Sequence, residues 1–595
     1  MEIELSFGEI EKAMLEYGLK APVVIAVNDE NKDSNKLIGF YLSNGKNEVN
    51  IDEFRKYLTK TLPHYAIPQV FQECKEYPTS SSGKLDENAL AGLVENSPTG
   101  KKDILLPNTI LEQQIYDILK KYINSELSTN DDLRNMIDSL TVIDIYIDLI
   151  NHKLITFEDM NTQEVSDYYT IKLLADRIEK GIQVDMVKEI CGMDIEDLES
   201  MKVMNKLYDP DLSGVLLTGG TGFLGSHILH NLIKDKSVKK IYCLARSKDG
   251  ASGPERLVST YQQYFDEDIS NLIGGKIVPF EGNIASEYFN ITPELYDELS
   301  NNITTVINTA ANVRHLGNRA KIYNDNVATV QSLIKFCVKN NITLAHMSTT
   351  SIAGSSNSAP ENFDENSFFE NKQNIHGSAY LETKAMAEFK ILEAMEKEGL
   401  NAKIFRLGNL MPRFSDGKFQ LNDDENAFIT RLKAFSKLGA VPADYLSSQE
   451  IELSPIDFCS EAILKLLKTG YDQTVYHVLN STKLSLSKVV ERLEPKIVST
   501  EEFKRRIIES KDKDVKFLMN YMHIIGANEN KIMSDITASK LQALGFNWNK
   551  YDIGYIKKIL QLVKEDQDLK VLLNGEKNIV TNKDVEEKFY IMEDL

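Results

Sequence analysis

Tyr380 and Lys384 stand four residues apart in Tyr380-Leu381-Glu382-Thr383-Lys384, so on a helix a phenol and an ammonium share one face. A free tyrosine titrates near ~10 and is a poor acid–base group at neutral pH, but a neighbouring cation favours the phenolate and lowers that value. Lys384 is also placed to hold a ribose. Such a pair recurs by chance, and its surroundings decide what it means. Just upstream lies a polar run, Met347-Ser348-Thr349-Thr350, at the end of an apolar strand pattern.

Further upstream, Thr218-Gly219-Gly220-Thr221-Gly222-Phe223-Leu224-Gly225 carries glycines at the spacing G-x-x-G-x-x-G. Glycines there permit a tight turn and let a pyrophosphate approach backbone N–H groups at a helix N-terminus, where the dipole favours negative charge. A strand precedes the run, a helix follows it, and a second strand comes about 20 residues on, which is the context the motif requires. Gly219, Thr221, Gly222, Phe223, Leu224 and Gly225 are therefore expected to line a dinucleotide.

The second strand ends in Leu244-Ala245-Arg246-Ser247. An acidic residue there would bond the ribose 2′-hydroxyl of NAD, whereas Arg246 suits the 2′-phosphate of NADP. A solvated surface arginine is the alternative reading. Gly282-Asn283-Ile284 and Asn308-Thr309-Ala310-Ala311 follow the third and fourth strand patterns, so Asn283, Ile284, Asn308 and Ala310 are expected beside adenine and ribose.

The elements that must position these groups can be read from periodicity. Apolar runs at 214–218, 240–245, 276–280, 305–307, 343–347 and 403–406 alternate with helical stretches, which predicts an α/β doubly wound parallel sheet. After about Ala440 the pattern is mainly helical and predicts a C-terminal lid-like subdomain, so the core is drawn at about 210–440 and the subdomain at about 441–595. Residues 1–97 read as a small α+β unit: helix over Glu9 to Tyr17, strands at Pro22–Asn28 and Leu37–Leu42, a turn at Asn44-Gly45 and a helix at Ile51–Thr61. Residues 103–181 are helical almost throughout and predict a small bundle, with 182–209 as an acidic connector.

At 595 residues the chain exceeds a single core, and the length suggests roughly four domains. A formal charge of −21 argues against nucleic acid or an anionic membrane as the main partner, since both call for basic patches. No run approaches the ~20 apolar residues of a membrane span, and no signal-peptide pattern opens the chain. The five cysteines are scattered without a CxxC pair, and none of the nine histidines forms a ligand cluster. That predicts reduced thiols, no metal site and a cytoplasmic setting.

Gly219, Gly222, Gly225, Tyr380, Lys384, Asn326 in Asp325-Asn326-Val327, and Arg406-Leu407-Gly408-Asn409 together resemble the pattern of extended short-chain dehydrogenases. That superfamily places a Ser or Thr after its fifth strand, a few residues before a Gly, to bond the reacting carbonyl. Counting back from Gly354 favours Thr349, with Ser348 and Thr350 as the other choices. Within the group, residues 210 to 480 resemble the thioester reductase domains of non-ribosomal peptide synthetases, carboxylic acid reductases and fungal-type α-aminoadipate reductases. The most specific matches are Thr218 to Gly225 and Ser348-Thr349. Asn283 departs from the Asp more usual there. The resemblance implies a Rossmann-like core using NADPH, with Thr349, Tyr380 and Lys384 as catalytic residues.

Two upstream motifs extend the resemblance. Ile3-Glu4-Leu5-Ser6-Phe7-Gly8-Glu9-Ile10-Glu11 and Tyr77-Pro78-Thr79-Ser80-Ser81-Ser82-Gly83-Lys84-Leu85-Asp86 resemble the motifs that open and close the C-terminal subdomain of adenylate-forming enzymes. Lys84 would then be the adenylation-motif lysine. Glu2 stands where Arg is usual, Ser6-Phe7 look inserted, and the large ATP-binding subdomain has no counterpart, so no adenylation by this chain alone is expected. Ile137-Asp138-Ser139-Leu140 resembles the attachment site of carrier domains, where the serine bears 4′-phosphopantetheine. Met136-Ile137 replace the usual Gly-Gly, and a plain helix cap is the alternative reading of Asp-Ser.

The order adenylation subdomain, carrier, reductase resembles a synthetase terminating module. It implies NADPH-dependent reductive release of an acyl or peptidyl thioester as an aldehyde, with a second reduction to the alcohol open. Its partners would be its own loaded carrier, upstream synthetase modules or an adenylation core, and a phosphopantetheinyl transferase. Two other readings stand beside it. One is an extended short-chain dehydrogenase acting on a free small substrate as epimerase, dehydratase or ketone reductase; the other is a decayed, non-catalytic synthetase fragment.

Overall fold

The computed structural model describes residues 7–28, 35–42, 105–181 and 201–573, apart from short interruptions, with scattered positions between 49 and 90. Lys84, the Asn44-Gly45 turn, most of 51–61 and residues 182–200 of the connector lie outside the described residues.

In the N-terminal unit, α1 (Phe7–Glu16) precedes β1 (Lys20–Asn28), β2 (Asn35–Leu42) and β3 (Val70–Cys74). The first two strands pair antiparallel and β3 lies parallel to β2. Ile10 and Met14 from α1 bury against Val24 and Tyr41 of the sheet. β3 carries no strand signal in the sequence, since Gln72 and Glu73 follow its first two apolar residues.

Residues 105–181 form a bundle of α2 (Ile110–Leu119), α3 (Ser139–Asn151), α4 (Thr162–Asp167) and α5 (Ile171–Lys180). Thr109, Asp138 and Thr170 cap three of these helices, each side chain accepting a backbone N–H that the first turn leaves without a partner. Ile115, Leu119, Ile143, Leu149 and Leu174 fill the interior.

The remainder is built on a seven-stranded sheet. Its elements run β4 (Gly214–Thr218), α6 (Phe223–Lys234), β5 (Lys240–Leu244), α7 (Gly253–Phe265), β6 (Ile277–Phe280), α8 (Pro293–Asn302), β7 (Thr305–Asn308), α9 (Arg319–Tyr323), α10 (Thr329–Asn340), β8 (Thr343–Thr349), α11 (Ala379–Lys397) and β9 (Ala402–Leu407). After α12 (Ala427–Leu438) and α13 (Ile456–Leu467), the chain returns to the sheet as β10 (Val475–Val478). The order is β10-β9-β8-β7-β4-β5-β6, and every pairing is parallel. Helices therefore cover both faces, and the strands read as near-continuous buried runs. Leu216, Val306, Leu344 and Ile404 meet α10 and α11 on one face, while Val215, Leu217, Ala345 and Phe405 meet α6 and α13 on the other.

The sheet thus reaches past Ala440, where the sequence suggested a mainly helical region. β10 is short and its pattern is broken by His477, whose ring is satisfied by Arg406 and the Met533 carbonyl. The rest of the C-terminal region includes α14 (Thr500–Glu509), α15 (Lys513–Phe517), α16 (Asp535–Ala543) and α17 (Ile553–Leu573). One apolar cluster runs from the small helical bundle into this region without a break. Lys516 of α15 also bonds Asp144 of α3. No described helix is long and apolar enough to cross a membrane.

Candidate active site

The strand order reverses between β4 and β7, and ligands of open α/β sheets bind at that crevice. Gly219 leaves β4 with φ +71°, and a Cβ there would lie 2.5 Å from Thr309 Oγ1 and 2.8 Å from the Ala310 amide nitrogen. A Cβ on Gly225 would fall 2.0 Å from the Gly219 carbonyl oxygen. Glycine is therefore obligatory at both positions, for closeness of backbone rather than mere flexibility. Gly222 is the N-cap of α6 and supplies no side-chain acceptor, so the first-turn amides stay available for an anion. This cradle fits a dinucleotide pyrophosphate.

Other expected contacts divide into those facing the crevice and those used inside the protein. Arg246 follows β5 and is exposed, with its carbonyl held by Arg256. Arg246 and Arg314 both press on the half-buried Lys321, whose pKa is lowered by burial first and by these cations as well. Three cations near the end of β5 suit a 2′-phosphate; Arg314 and Lys321 went unnoticed in the sequence because no local motif marks them. Asn283 forms a turn, its Oδ1 accepting the Ala285 amide, and Ile284 is buried. Phe223 packs edge-on against Phe419, and Leu224 enters the core. Thr221 sits half-exposed in the glycine loop.

Asn308 does not present its side chain to the crevice. The Ala310 amide donates to Thr218 Oγ1 at 3.3 Å, so that hydroxyl donates onward to Asn308 Oδ1 at 2.6 Å. Asn308 Nδ2 then faces His346 Nδ1 at 3.1 Å, which makes that nitrogen the acceptor of a neutral imidazole. Burial, and then the nearby Lys384 charge, hold His346 well below its ordinary pKa. Asn308 is thus a strut between the loop and the floor of the site.

Above that floor stand the catalytic candidates. Thr349 ends β8, accepts the Ser351 amide at 3.1 Å and hydrogen-bonds Tyr380. Of the two other choices, Thr350 donates to the Leu407 carbonyl at 3.2 Å, and Ser348 Oγ is buried without a hydrogen-bond partner among the described residues. Ser378 caps α11, so Tyr380 lies in its first turn. Lys384 Nζ, one turn on, donates to the Met347 carbonyl at 2.9 Å. The structure thereby brings Thr349, Tyr380 and Lys384 together at the C-terminal end of β8.

The electrostatics differ from the sequence expectation. Burial pushes the Tyr380 phenol up to about 12, opposed by the Thr349 bond, and burial brings Lys384 down to about 8, with Glu388 opposing. In this desolvated pocket the cost of forming a phenolate outweighs what the Thr349 bond returns. Tyr380 is therefore held protonated at neutral pH.

Several supporting residues emerge only in three dimensions. Asn326, in a π-helical turn at Asn324–Ala328, bonds both Asn312 beyond β7 and Thr383 of α11. Such turns interrupt helices at functional sites. Arg406 forks onto Glu388 of α11, both fully buried, fastening that helix to β9. Glu452 accepts the Asn409 amide and the Ser454 hydroxyl beside Gly408. Ser139 is the first residue of α3, directly after the capping Asp138. Among the described residues no group of three or more His, Cys, Asp or Glu could hold a metal ion.

Comparisons with known proteins agree with the fold. Residues 217–463 match the NAD-binding family described as male sterility protein. The chain is 24% identical to a linear gramicidin synthase chain of Brevibacillus parabrevis over 83% of its length, and to the L-2-aminoadipate reductase large subunit of Penicillium chrysogenum over 74%. It spans only 10% and 34% of those two proteins. Among solved structures, a thiolation-reductase di-domain from an archaeal non-ribosomal peptide synthetase aligns at a TM-score of 0.63 with 29% identity, covering 78% of this chain and 100% of that one. The terminal R domain of the myxalamid PKS-NRPS pathway shares the fold at a TM-score of 0.54 and 22% identity, over 64% of this chain and 98% of its own. Residues 217–463 of this chain thus match the NAD-binding family described as male sterility protein, and the chain is homologous to the terminal reductase domains of non-ribosomal peptide synthetases.

Proposed function

We propose that this chain reduces an acyl or peptidyl thioester held on its own carrier bundle and releases it as an aldehyde. The observation that carries the reading is the Thr349–Tyr380 bond with Lys384 one turn on, beside a glycine cradle. In this reading residues 1–97 are an adenylation-type subdomain containing Lys84, 103–181 the carrier, 182–209 a linker and 210–595 the reductase. Ser139 bears 4′-phosphopantetheine, attached by a phosphopantetheinyl transferase, and upstream synthetase modules supply the acyl chain. Four described cysteines are free and buried, which supports a cytoplasmic setting.

The first-turn amides of α6 and the glycine loop would hold the NADPH pyrophosphate, with Arg246, Arg314 and Lys321 around the 2′-phosphate. Bound there, the reduced nicotinamide supplies a hydride. Thr349 and Tyr380 donate hydrogen bonds to the thioester oxygen as negative charge develops on it. Tyr380, protonated at neutral pH, gives that oxygen a proton, and the resulting hemithioacetal breaks its C–S bond to leave the aldehyde and the free pantetheine thiol. Lys384, anchored on the Met347 carbonyl, keeps a positive charge beside the phenol as its proton leaves. Burial of Thr349 and Lys384 excludes water that would otherwise weaken these interactions.

The test uses the full chain treated with coenzyme A and a phosphopantetheinyl transferase. Wild type should gain the pantetheine mass and Ser139→Ala should not, while Tyr380→Phe should lower turnover by about 100-fold or more. No mass gain in wild type refutes the carrier role, and full turnover by Tyr380→Phe refutes the catalytic assignment.

A further inference from the structure

Asp167, the last residue of α4 in the small bundle, lies against Arg319, the first residue of α9, across 152 residues of sequence. The guanidinium forks onto the carboxylate, Nη2 to Oδ2 at 2.7 Å and Nε to Oδ1 at 3.2 Å. Its remaining nitrogen, Nη1, pairs with Glu382 of α11. All three side chains are less than a tenth exposed. Gln163, one turn back on α4, donates to Asp167 Oδ1 at 2.8 Å and fixes the carboxylate for the fork.

A buried charge cluster is a poor adhesive. The cost of desolvating three ions offsets most of their attraction, and apolar side chains of like volume often hold an interface better. What such a cluster does supply is geometry, because the fork accepts its partner in few orientations. Glu382 stands midway between Tyr380 and Lys384, and its neighbour Thr383 is already tied through Asn326 to the loop after β7. The segment from Arg319 to Ala328 therefore touches the bundle at one end and the catalytic helix along its side.

We infer that Arg319 is a positioning residue through which the docked carrier sets the first turn of the catalytic helix. Docking then does more than deliver the acyl group. It completes the alignment of Tyr380 and Lys384, so the site is fully formed only while the carrier is seated. Without Asp167, Arg319 keeps Glu382 as its one carboxylate among the described residues, and the helix start loses its fixed reference to the bundle. This inference rests on the proposed thioester reduction and adds regulation to the same site.

The experiment uses the full chain with NADPH and S-hexanoyl-N-acetylcysteamine, a freely diffusing thioester that needs no carrier delivery. Asp167→Ala should lower kcat at least tenfold with KM for NADPH within twofold of wild type. Amide hydrogen exchange over residues 379–384, measured without substrate, should speed at least tenfold. Asp167→Glu should restore much of both, and Asp167→Asn keeps the comparison readable if the alanine variant fails to fold. Either readout staying within twofold of wild type overturns the inference. Wild type failing to oxidise NADPH with both the free thioester and an acyl group loaded on Ser139 would count against the reductase reading itself; the exchange comparison still decides the positioning role.

Discussion

Replacing Gly225 by Ala tests the dinucleotide cradle at its tightest point. The new Cβ would lie 2.0 Å from the Gly219 carbonyl oxygen, 2.7 Å from its carbon and 2.8 Å from Thr309 Oγ1. Two of these atoms are backbone, so no side chain can swing away. The loop must open by roughly 1.4 Å to reach the ~3.4 Å of an ordinary contact. Amide donors displaced that far leave the 2.7–3.2 Å window of a hydrogen bond to phosphate. Losing about two charge-assisted bonds at ~1.5–3 kcal/mol each costs about 3–6 kcal/mol, a rise of ~10²- to 10⁴-fold in the Kd for NADPH. Gly222→Ala is the internal control. Its Cβ would stand 3.2 Å from the same carbonyl with no other neighbour within 4 Å, so its effect should stay below about tenfold. Fluorescence titration of NADPH measures both, with circular dichroism to confirm the fold. The reasoning is refuted if Gly225→Ala binds within threefold of wild type, or if Gly222→Ala proves the more damaging.

Two further outcomes follow from the same geometry. Arg246→Asp should weaken NADPH by about 10- to 100-fold while NADH changes little, since only NADPH carries the 2′-phosphate; an unchanged NADPH-to-NADH ratio would remove Arg246 from the site. Glu452 is raised by burial to about 7, so the folded state keeps a proton that the unfolded chain releases near 4.5. Stability from this residue therefore falls as pH rises from 4.5 to about 7, by about 3 kcal/mol in all, and is lost above that range. Denaturant midpoints of Glu452→Gln should lack that decline, and an identical pH profile in wild type and variant would contradict the assignment.

What could be read from the sequence was what local pattern encodes. Six of the seven sheet strands announced themselves as apolar runs between helices, and Gly219, Gly222 and Gly225 marked the turn from β4 into α6. Tyr380 and Lys384 share a helix, so their spacing placed them on one face without further help. The residues that escaped are those whose meaning lies in distant partners. β10 has four residues, one of them a histidine whose ring meets Arg406 and the Met533 carbonyl. Asn308 looked like a cofactor contact because it follows a strand, yet its amide is used between Thr218 and His346. The depressed Tyr380 pKa expected from Lys384 failed because one-dimensional spacing shows the cation and not the desolvation. Asp167, Arg319 and Glu382 sit on three separate elements, and no periodicity joins them.

The central claim is reductive release of a carrier-bound thioester, and a single turnover tests it most directly. The full chain, converted to its pantetheine form and loaded with an octanoyl group on Ser139, is mixed with NADPH, and cofactor absorbance is followed beside mass spectrometry of the released product. The account predicts one NADPH oxidised per octanal released, regeneration of the free pantetheine thiol, and neither event in Ser139→Ala. Release of octanoic acid without NADPH oxidation, or an octanoyl carrier that survives unchanged, would contradict it.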